Sequence, residues 1–243
     1  MLVTRAAHQT AAFARALEQA GAVPVAAPLV AFGPPDDVQA AAYAAYHASQ
    51  YAWIVFTSAN AVDAFFDLLD ARREDARFLA QAKIAAVGTA TAAALRARNI
   101  YADLVPRTFV AEALADALIA AAKPGARLLL FRAQEGRDVL PDALRAAGFA
   151  VDVIAGYKTF GVHDPELAQK VAQCDILTFT SPSAVAAFCE NLGGSIEAAR
   201  GKTIACIGPM TAQAAREHGL AVGVVAAAFT ADGLRDALRN AGM

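Results

Sequence analysis

The sequence predicts an α/β fold of two lobes, each a parallel sheet covered by helices on both faces. Three observations predict it. First, the chain repeats itself. Phe56-Thr57-Ser58-Ala59-Asn60-Ala61-Val62 returns as Phe179-Thr180-Ser181-Pro182-Ser183-Ala184-Val185, an offset of 123 in a chain of 243 residues. Ile84-Ala85-Ala86-Val87-Gly88-Thr89-Ala90-Thr91 returns as Ile204-Ala205-Cys206-Ile207-Gly208-Pro209-Met210-Thr211, an offset of 120. Solenoid repeats usually run about 20–50 residues, so a unit of half the chain points to duplication of a whole lobe. Second, strand-like apolar runs alternate with helical patterns, as in open parallel sheets. Third, Ile54-Val55-Phe56 is apolar on both faces, as a buried parallel strand must be.

Taken in order, Leu2–Thr4 reads as a strand and Gln9–Ala20 as a helix stopped at Gly21. Val23–Val30 is strand-like, and Gly33-Pro34-Pro35 breaks it. Asp36-Asp37 can cap the following helix by accepting its first N–H groups. Tyr51–Thr57 is a strand, followed by a helix to about Asp70 and a charged helix near 72–81. Lys83–Val87 is a strand, Thr89–Arg98 a helix, and Asp103–Val105 a short strand closed by Pro106. A helix over Val110–Ala122 ends at Pro124-Gly125.

The second copy runs in parallel. Its strands are expected near Arg127–Phe131, Val151–Thr159, Ile176–Thr180, Thr203–Ile207 and Val222–Val225, and its last helix near Ala231–Asn240. Ligands of open α/β sheets collect beyond the carboxyl ends of the strands. Ser58, Gly88, Ser181 and Gly208 fall there. Exposed N–H groups at helix starts suit anions, and two matching sets can hold one large anion.

Composition narrows the classes. Hydrophobic residues make up 57%, enough for a sizeable core, and the formal net charge is −2. No basic stripe marks a nucleic-acid surface. No apolar run reaches the roughly 18 residues of a membrane span, and the N-terminus does not read as a signal peptide. Cys174, Cys189 and Cys206 form no C-x-x-C pair and fit buried apolar positions in a reducing, cytoplasmic setting. His8, His47, His163 and His218 are dispersed, so no metal site is expected. Dinucleotide, Walker, zincin and nucleophile-elbow motifs are missing. Nothing in the sequence demands more than a monomer.

Hydroxyl and amide side chains remain: Ser58, Asn60, Thr89, Thr91, Ser181, Ser183 and Thr211. Such residues at helix starts are ordinarily N-caps worth about 1 kcal/mol each, and duplication copies caps as readily as sites. Arg5 and Arg132 each close an equivalent strand and suit bidentate carboxylate binding, with loop-anchoring ion pairs the competing role. Tyr157, in Gly156-Tyr157-Lys158-Thr159, has no counterpart around Leu29-Val30. A strand tyrosine usually packs, but its phenol can also donate a proton.

These residues resemble the uroporphyrinogen-III synthase family over essentially the whole chain. The carriers are the opening Leu2-Val3-Thr4-Arg5, the two Phe-Thr-Ser motifs, Ala86-Val87-Gly88-Thr89-Ala90-Thr91, the Leu144–Tyr157 stretch, and Ile207-Gly208-Pro209-Met210-Thr211. Each is short, and their order and spacing together carry the resemblance. It implies cyclisation of the linear tetrapyrrole hydroxymethylbilane with loss of water and inversion of ring D, through a spiro intermediate, with no cofactor or metal. Tyr157 maps onto the family's tyrosine, and Thr89, Thr211, Ser58 and Ser181 onto its threonine and serine positions.

The resemblance also implies a rearranged path. Residues 1–30 with 163–243 would form one lobe, 36–153 the other, and 31–35 with 154–162 two extended crossovers. One departure is visible: Ala226-Ala227-Ala228 stands where the first copy has Pro106-Arg107-Thr108, leaving only backbone contacts for an anion there. Two other function classes compete. One is a non-catalytic two-lobed binding protein for a small anionic ligand, whose usual exported examples carry a signal peptide. The other is an interaction module that kept the fold and lost its site, against which Tyr157, Thr89 and Thr211 argue.

Overall fold

The computed structural model describes residues 1–79 and 81–242. In chain order the elements are β1 (Leu2–Val3), α1 (Ala7–Gln19), β2 (Val25–Ala26), β3 (Val30–Gly33), α2 (Val38–Tyr46), β4 (Trp53–Phe56), α3 (Ala59–Ala71), β5 (Lys83–Ala86), α4 (Thr89–Ala97) and α5 (Ala111–Ala121). There follow β6 (Arg127–Ala133), α6 (Val139–Ala146), β7 (Ala150–Gly161), α7 (Leu167–Ala172), β8 (Ile176–Phe179), α8 (Pro182–Asn191), β9 (Thr203–Cys206), α9 (Pro209–Glu217), β10 (Val222–Val225) and α10 (Ala231–Asn240).

The chain forms two compact units. The first takes Met1–Phe32 and Thr159 to the C-terminal end, and the second takes Gly33–Lys158. The chain therefore leaves the first unit within β3 and re-enters it within β7.

The first unit's sheet has the order β10-β9-β8-β1-β2, all parallel. Successive strand residues face opposite sides, and each side is covered. Leu2, Leu177, Phe179, Ile204 and Cys206 pack with α7 and α8 through Leu167, Val171, Val185 and Phe188. Val3, Ala205 and Val224 pack with α1 and α10 through Phe13, Leu17, Leu234 and Leu238. Two buried threonines satisfy the join of β1 to β8: Thr4 Oγ1 donates to Thr178 O at 2.7 Å, and Thr178 Oγ1 to Leu2 O at 2.7 Å.

The other sheet has the order β3-β7-β6-β4-β5, of which β7, β6, β4 and β5 run parallel. One face carries Trp53, Val55, Ala85, Leu128 and Leu130 against Leu114, Leu118, Leu140 and Leu144 of α5 and α6. The opposite face holds an aromatic cluster, with Phe65 of α3 edge-on to Phe56 at 5.4 Å and to Phe131 at 5.1 Å between centroids. Gly21 (φ +88°) after α1 and Gly148 (φ +87°) after α6 adopt the left-handed conformation that ends a helix, which a side chain would strain.

Four local expectations need correction. The strand expected over 23–30 divides into β2 and β3, because Pro28 supplies no N–H to a ladder. Gly33 belongs to β3 rather than breaking it. The charged helix expected near 72–81 is instead a short 3-10 turn at Ala76–Leu79, with Ala80 outside the described residues. Arg73 at φ +60° ends the preceding helix. The strand expected at 103–105 shrinks to a single bridge, Ala85 with Leu104. There the Asp103 carboxylate accepts the Ile84 N–H at 2.7 Å in place of a backbone carbonyl.

Candidate functional site

In the second unit, β4 ends at Phe56 and Ser58 caps α3. Its Oγ accepts the Ala61 N–H at 3.1 Å, as the residue type predicts. The same oxygen lies 2.9 Å from the Tyr157 hydroxyl. Tyr157 is set on β7, opposite Ala133 of β6, and its phenol also bonds the Asn60 side chain. Gly156 makes this placement possible for a spatial reason: a Cβ there would fall 2.0 Å from the Phe131 ring.

Tyr157 is only 8% exposed. Burial pushes its phenol above the ordinary value near 10, against the opposing pull of the Ser58 and Asn60 hydrogen bonds, and nearby Glu135 adds to the rise. The group therefore stays protonated across the physiological range. Three residues singled out from the sequence, Ser58, Asn60 and Tyr157, thus form one hydrogen-bonded cluster.

Thr89 is exposed in the first turn of α4, while Thr91 is buried two residues on. Gly88 caps this helix without a side-chain bond, so its first N–H groups have no capping oxygen. Arg132 is buried and already engaged. Its Nη2 meets Asp138 Oδ1 at 2.6 Å, and Nη1 donates to the Arg137 carbonyl. The ion-pair reading of Arg132 is the one seen here. Lys158 likewise pairs with Asp36 at 2.6 Å.

The first unit repeats the frame with different side chains. Ser181 caps α8 through the Ala184 N–H at 3.1 Å, and its Oγ lies 2.9 Å from Ser183 Oγ. Ser183 holds the place of Asn60 in the repeat, so here the capping serine meets a serine and not a tyrosine. Gly208 caps α9 without a side-chain bond, and Thr211 is buried in its first turn.

Arg5 differs from Arg132. Its Nη2 bonds Gln9 Oε1 at 3.2 Å, and burial lowers its pKa. Among the described residues its Nε is the one buried side-chain N or O atom without a hydrogen-bond partner. Arg5 lines a cavity of about 340 Å³ with Gln9, Phe13 and Asp232. Among the described residues, no group of three or more His, Cys, Asp and Glu is placed to hold a metal ion.

Comparison with known proteins adds a second line of observation. Residues 11–236 match the family model described as uroporphyrinogen-III synthase HemD. The chain is 34% identical over 244 residues to a uroporphyrinogen-III synthase of Synechococcus elongatus, covering 96% of this chain and 92% of that one. It is 30% identical over 247 residues to a porphyrin biosynthesis protein HemD of Ruminiclostridium josui, covering 100% of this chain but spanning only 48% of that relative's length. In fold it is similar to a crystal structure of a mutant uroporphyrinogen III synthase from the extremely thermophilic bacterium Thermus thermophilus. The TM-score is 0.65 at 20% identity, over 99% of this chain and 97% of that one. A Helicobacter pylori uroporphyrinogen-III synthetase gives a TM-score of 0.62 at 19% identity, over 90% and 92% of the two chains.

Proposed function

The chain belongs to the uroporphyrinogen-III synthase family, and from that premise we propose that it is a hydro-lyase of tetrapyrrole (haem) biosynthesis. It cyclises hydroxymethylbilane to uroporphyrinogen III, with loss of water and inversion of ring D. The observation that carries this reading is the Tyr157 phenol, kept protonated by burial and held 2.9 Å from Ser58 beyond the carboxyl end of β4.

The chemistry follows from what hydroxide needs. It leaves carbon poorly unless protonated. The pyrrole next to the hydroxymethyl carbon supplies electrons, and a proton on the departing oxygen lets it go as water. Tyr157 supplies that proton, directly or through a water, with Ser58 and Asn60 fixing its direction. General-acid assistance is typically worth about 10²–10⁴-fold. The substituted α-carbon of ring D then bonds to the electron-poor carbon, giving the spiro intermediate. Its older bond to the neighbouring methylene breaks, the free α-carbon of ring D bonds to that methylene, and the proton it loses replaces the one given to the departing water, leaving ring D inverted.

Carboxylate side chains of the substrate need partners in a chain of net charge −2. The N–H groups at the starts of α3, α4, α8 and α9 supply them, each exposed contact worth roughly 0.3–1 kcal/mol. Arg5, with its unpaired Nε, is the better-placed arginine for a carboxylate, since Arg132 is neutralised by Asp138. Thr89, Thr91, Ser181, Ser183 and Thr211 line or support these helix starts.

The proposed setting is the cytoplasm. All three cysteines are free and buried, and no helix of the described residues is long and apolar enough to cross a membrane. No second copy of the chain is needed. The test is direct: supply hydroxymethylbilane, oxidise the product and separate the porphyrin isomers. Isomer III above the uncatalysed background establishes the activity, and isomer I alone, which spontaneous closure gives, refutes it.

A further inference from the structure

Two exposed phenyl rings occupy equivalent places in the two units. Phe109 precedes α5 and is 41% exposed, and Phe229 precedes α10 and is 44% exposed. Their offset of 120 is that of Gly88 and Gly208. Each is the central residue of a three-residue turn, with Val110 N donating to Thr108 O at 2.9 Å and Thr230 N to Ala228 O at 2.8 Å. Neither phenylalanine is among the positive-φ residues, so both turns are of the inverse γ type. The flanking residues have diverged: Arg107-Thr108 became Ala227-Ala228, and Val110 became Thr230. The turn and the ring have stayed.

Each ring also lies on a glycine. A Cβ on Gly88 would meet Phe109 Cβ and Cγ at 3.1 Å, and one on Gly208 would meet Phe229 Cδ1 at 3.0 Å. Both glycines have extended backbones, at φ −169° and −177°, which any residue adopts. The adjoining ring, not the dihedral, accounts for glycine at both positions. Each phenyl is thus braced on one side and open on the other. Single exposed apolar side chains are ordinary. A pair held at equivalent positions, each with a glycine cut back to seat it, calls for an occupant on the open face.

We infer that Phe109 and Phe229 are substrate-contacting residues, each offering, within its own unit, an open face that suits a pyrrole ring. This rests on the function proposed above. Pyrroles are flat and electron-rich, and aromatic pairs favour offset or edge-on contact at centroid distances of about 4.5–7 Å. A ring so placed carries its carboxylate substituents toward the uncapped first turn of α4 or α9.

The test compares Phe109→Leu and Phe229→Leu with Phe109→Tyr and Phe229→Tyr in steady-state kinetics with hydroxymethylbilane. Each leucine variant is expected to raise KM about 3–10-fold with kcat within about twofold of the parent, and the tyrosine variants are expected to match the parent. Gly88→Ala and Gly208→Ala keep the ring but tilt it, and are expected to raise KM as well. Leucine variants with parental KM, or tyrosine variants as impaired as the leucine ones, overturn the inference. Should a leucine variant not fold, the glycine variant of that unit decides, and a parental KM there also overturns it. A parent chain that makes no isomer III removes the proposed activity and this inference together. A parent that makes it, with unchanged leucine variants, removes this inference alone.

Discussion

The Ser58 hydroxyl joins two parts of the second unit that lie 99 residues apart, meeting the Tyr157 hydroxyl at 2.9 Å while accepting the Ala61 N–H at 3.1 Å. One side chain thus caps a helix and aims a phenol. Replacing the phenol by phenyl separates chemistry from packing. Tyr157→Phe is expected to lower kcat by about 10-fold or more, with KM nearly unchanged. Steady-state turnover with isomer analysis checks this, and parental turnover across the pH range removes Tyr157 as the acid.

Ser58→Ala and Ser181→Ala form a matched pair. Each removes one N-cap, so each is expected to cost about 1 kcal/mol in urea unfolding. Ser58→Ala also releases the phenol, and its turnover is expected to fall several-fold further than that of Ser181→Ala. Equal turnover in the two variants would separate the cap from the catalytic role.

Thr89 and Pro209 hold the same place in the first turns of α4 and α9. Proline at that position is already part of the fold, because the missing N–H has no helical partner to lose. Thr89→Pro is therefore expected to leave the melting temperature unchanged and to weaken product affinity a few-fold, through loss of one donor to a carboxylate. Titration with the product reads the effect, and undiminished affinity would show that this N–H takes no part.

Tyr51 sets an alkaline limit on stability. Burial, followed by its hydrogen bond to Asp152, pushes its phenol up to about 12. The folded state holds this proton more tightly than the unfolded chain, whose phenol titrates near 10. Its contribution is complete below about pH 10 and declines as pH rises toward 12. Melting curves between about pH 9 and 12 are expected to fall less steeply for Tyr51→Phe than for the parent.

Much of the fold was legible because the duplication displays each strand end twice. Phe56-Thr57-Ser58 and Phe179-Thr180-Ser181 mark the same strand-to-helix turn, and the caps follow from residue type. Asp103 was not legible as a strand substitute, because its partner Ile84 is distant in sequence and the bond runs to a side chain. Arg132 stays open in the sequence between a carboxylate site and an ion pair. Its partner Asp138 lies six residues on, across a turn that no local pattern specifies. The difference between Phe109 and a core phenylalanine is exposure, which depends on the whole unit and not on the local residues.

The interrupted path of the first unit has a consequence for synthesis on the ribosome. Its strand β1 needs the central strand β8, and the Thr4–Thr178 bond that fastens them spans 174 residues. Domains tend to fold as units while the chain emerges at about 5–20 residues per second. Gly33–Lys158 is a contiguous insertion and can close as soon as it is clear of the exit tunnel. The N-terminal strand must wait, unpaired on one edge, for several seconds or more before its neighbour exists. Truncations after Lys158 should therefore leave a folded middle with β1 unpaired toward β8, and elements translated after the insertion complete the sheet that β1 enters.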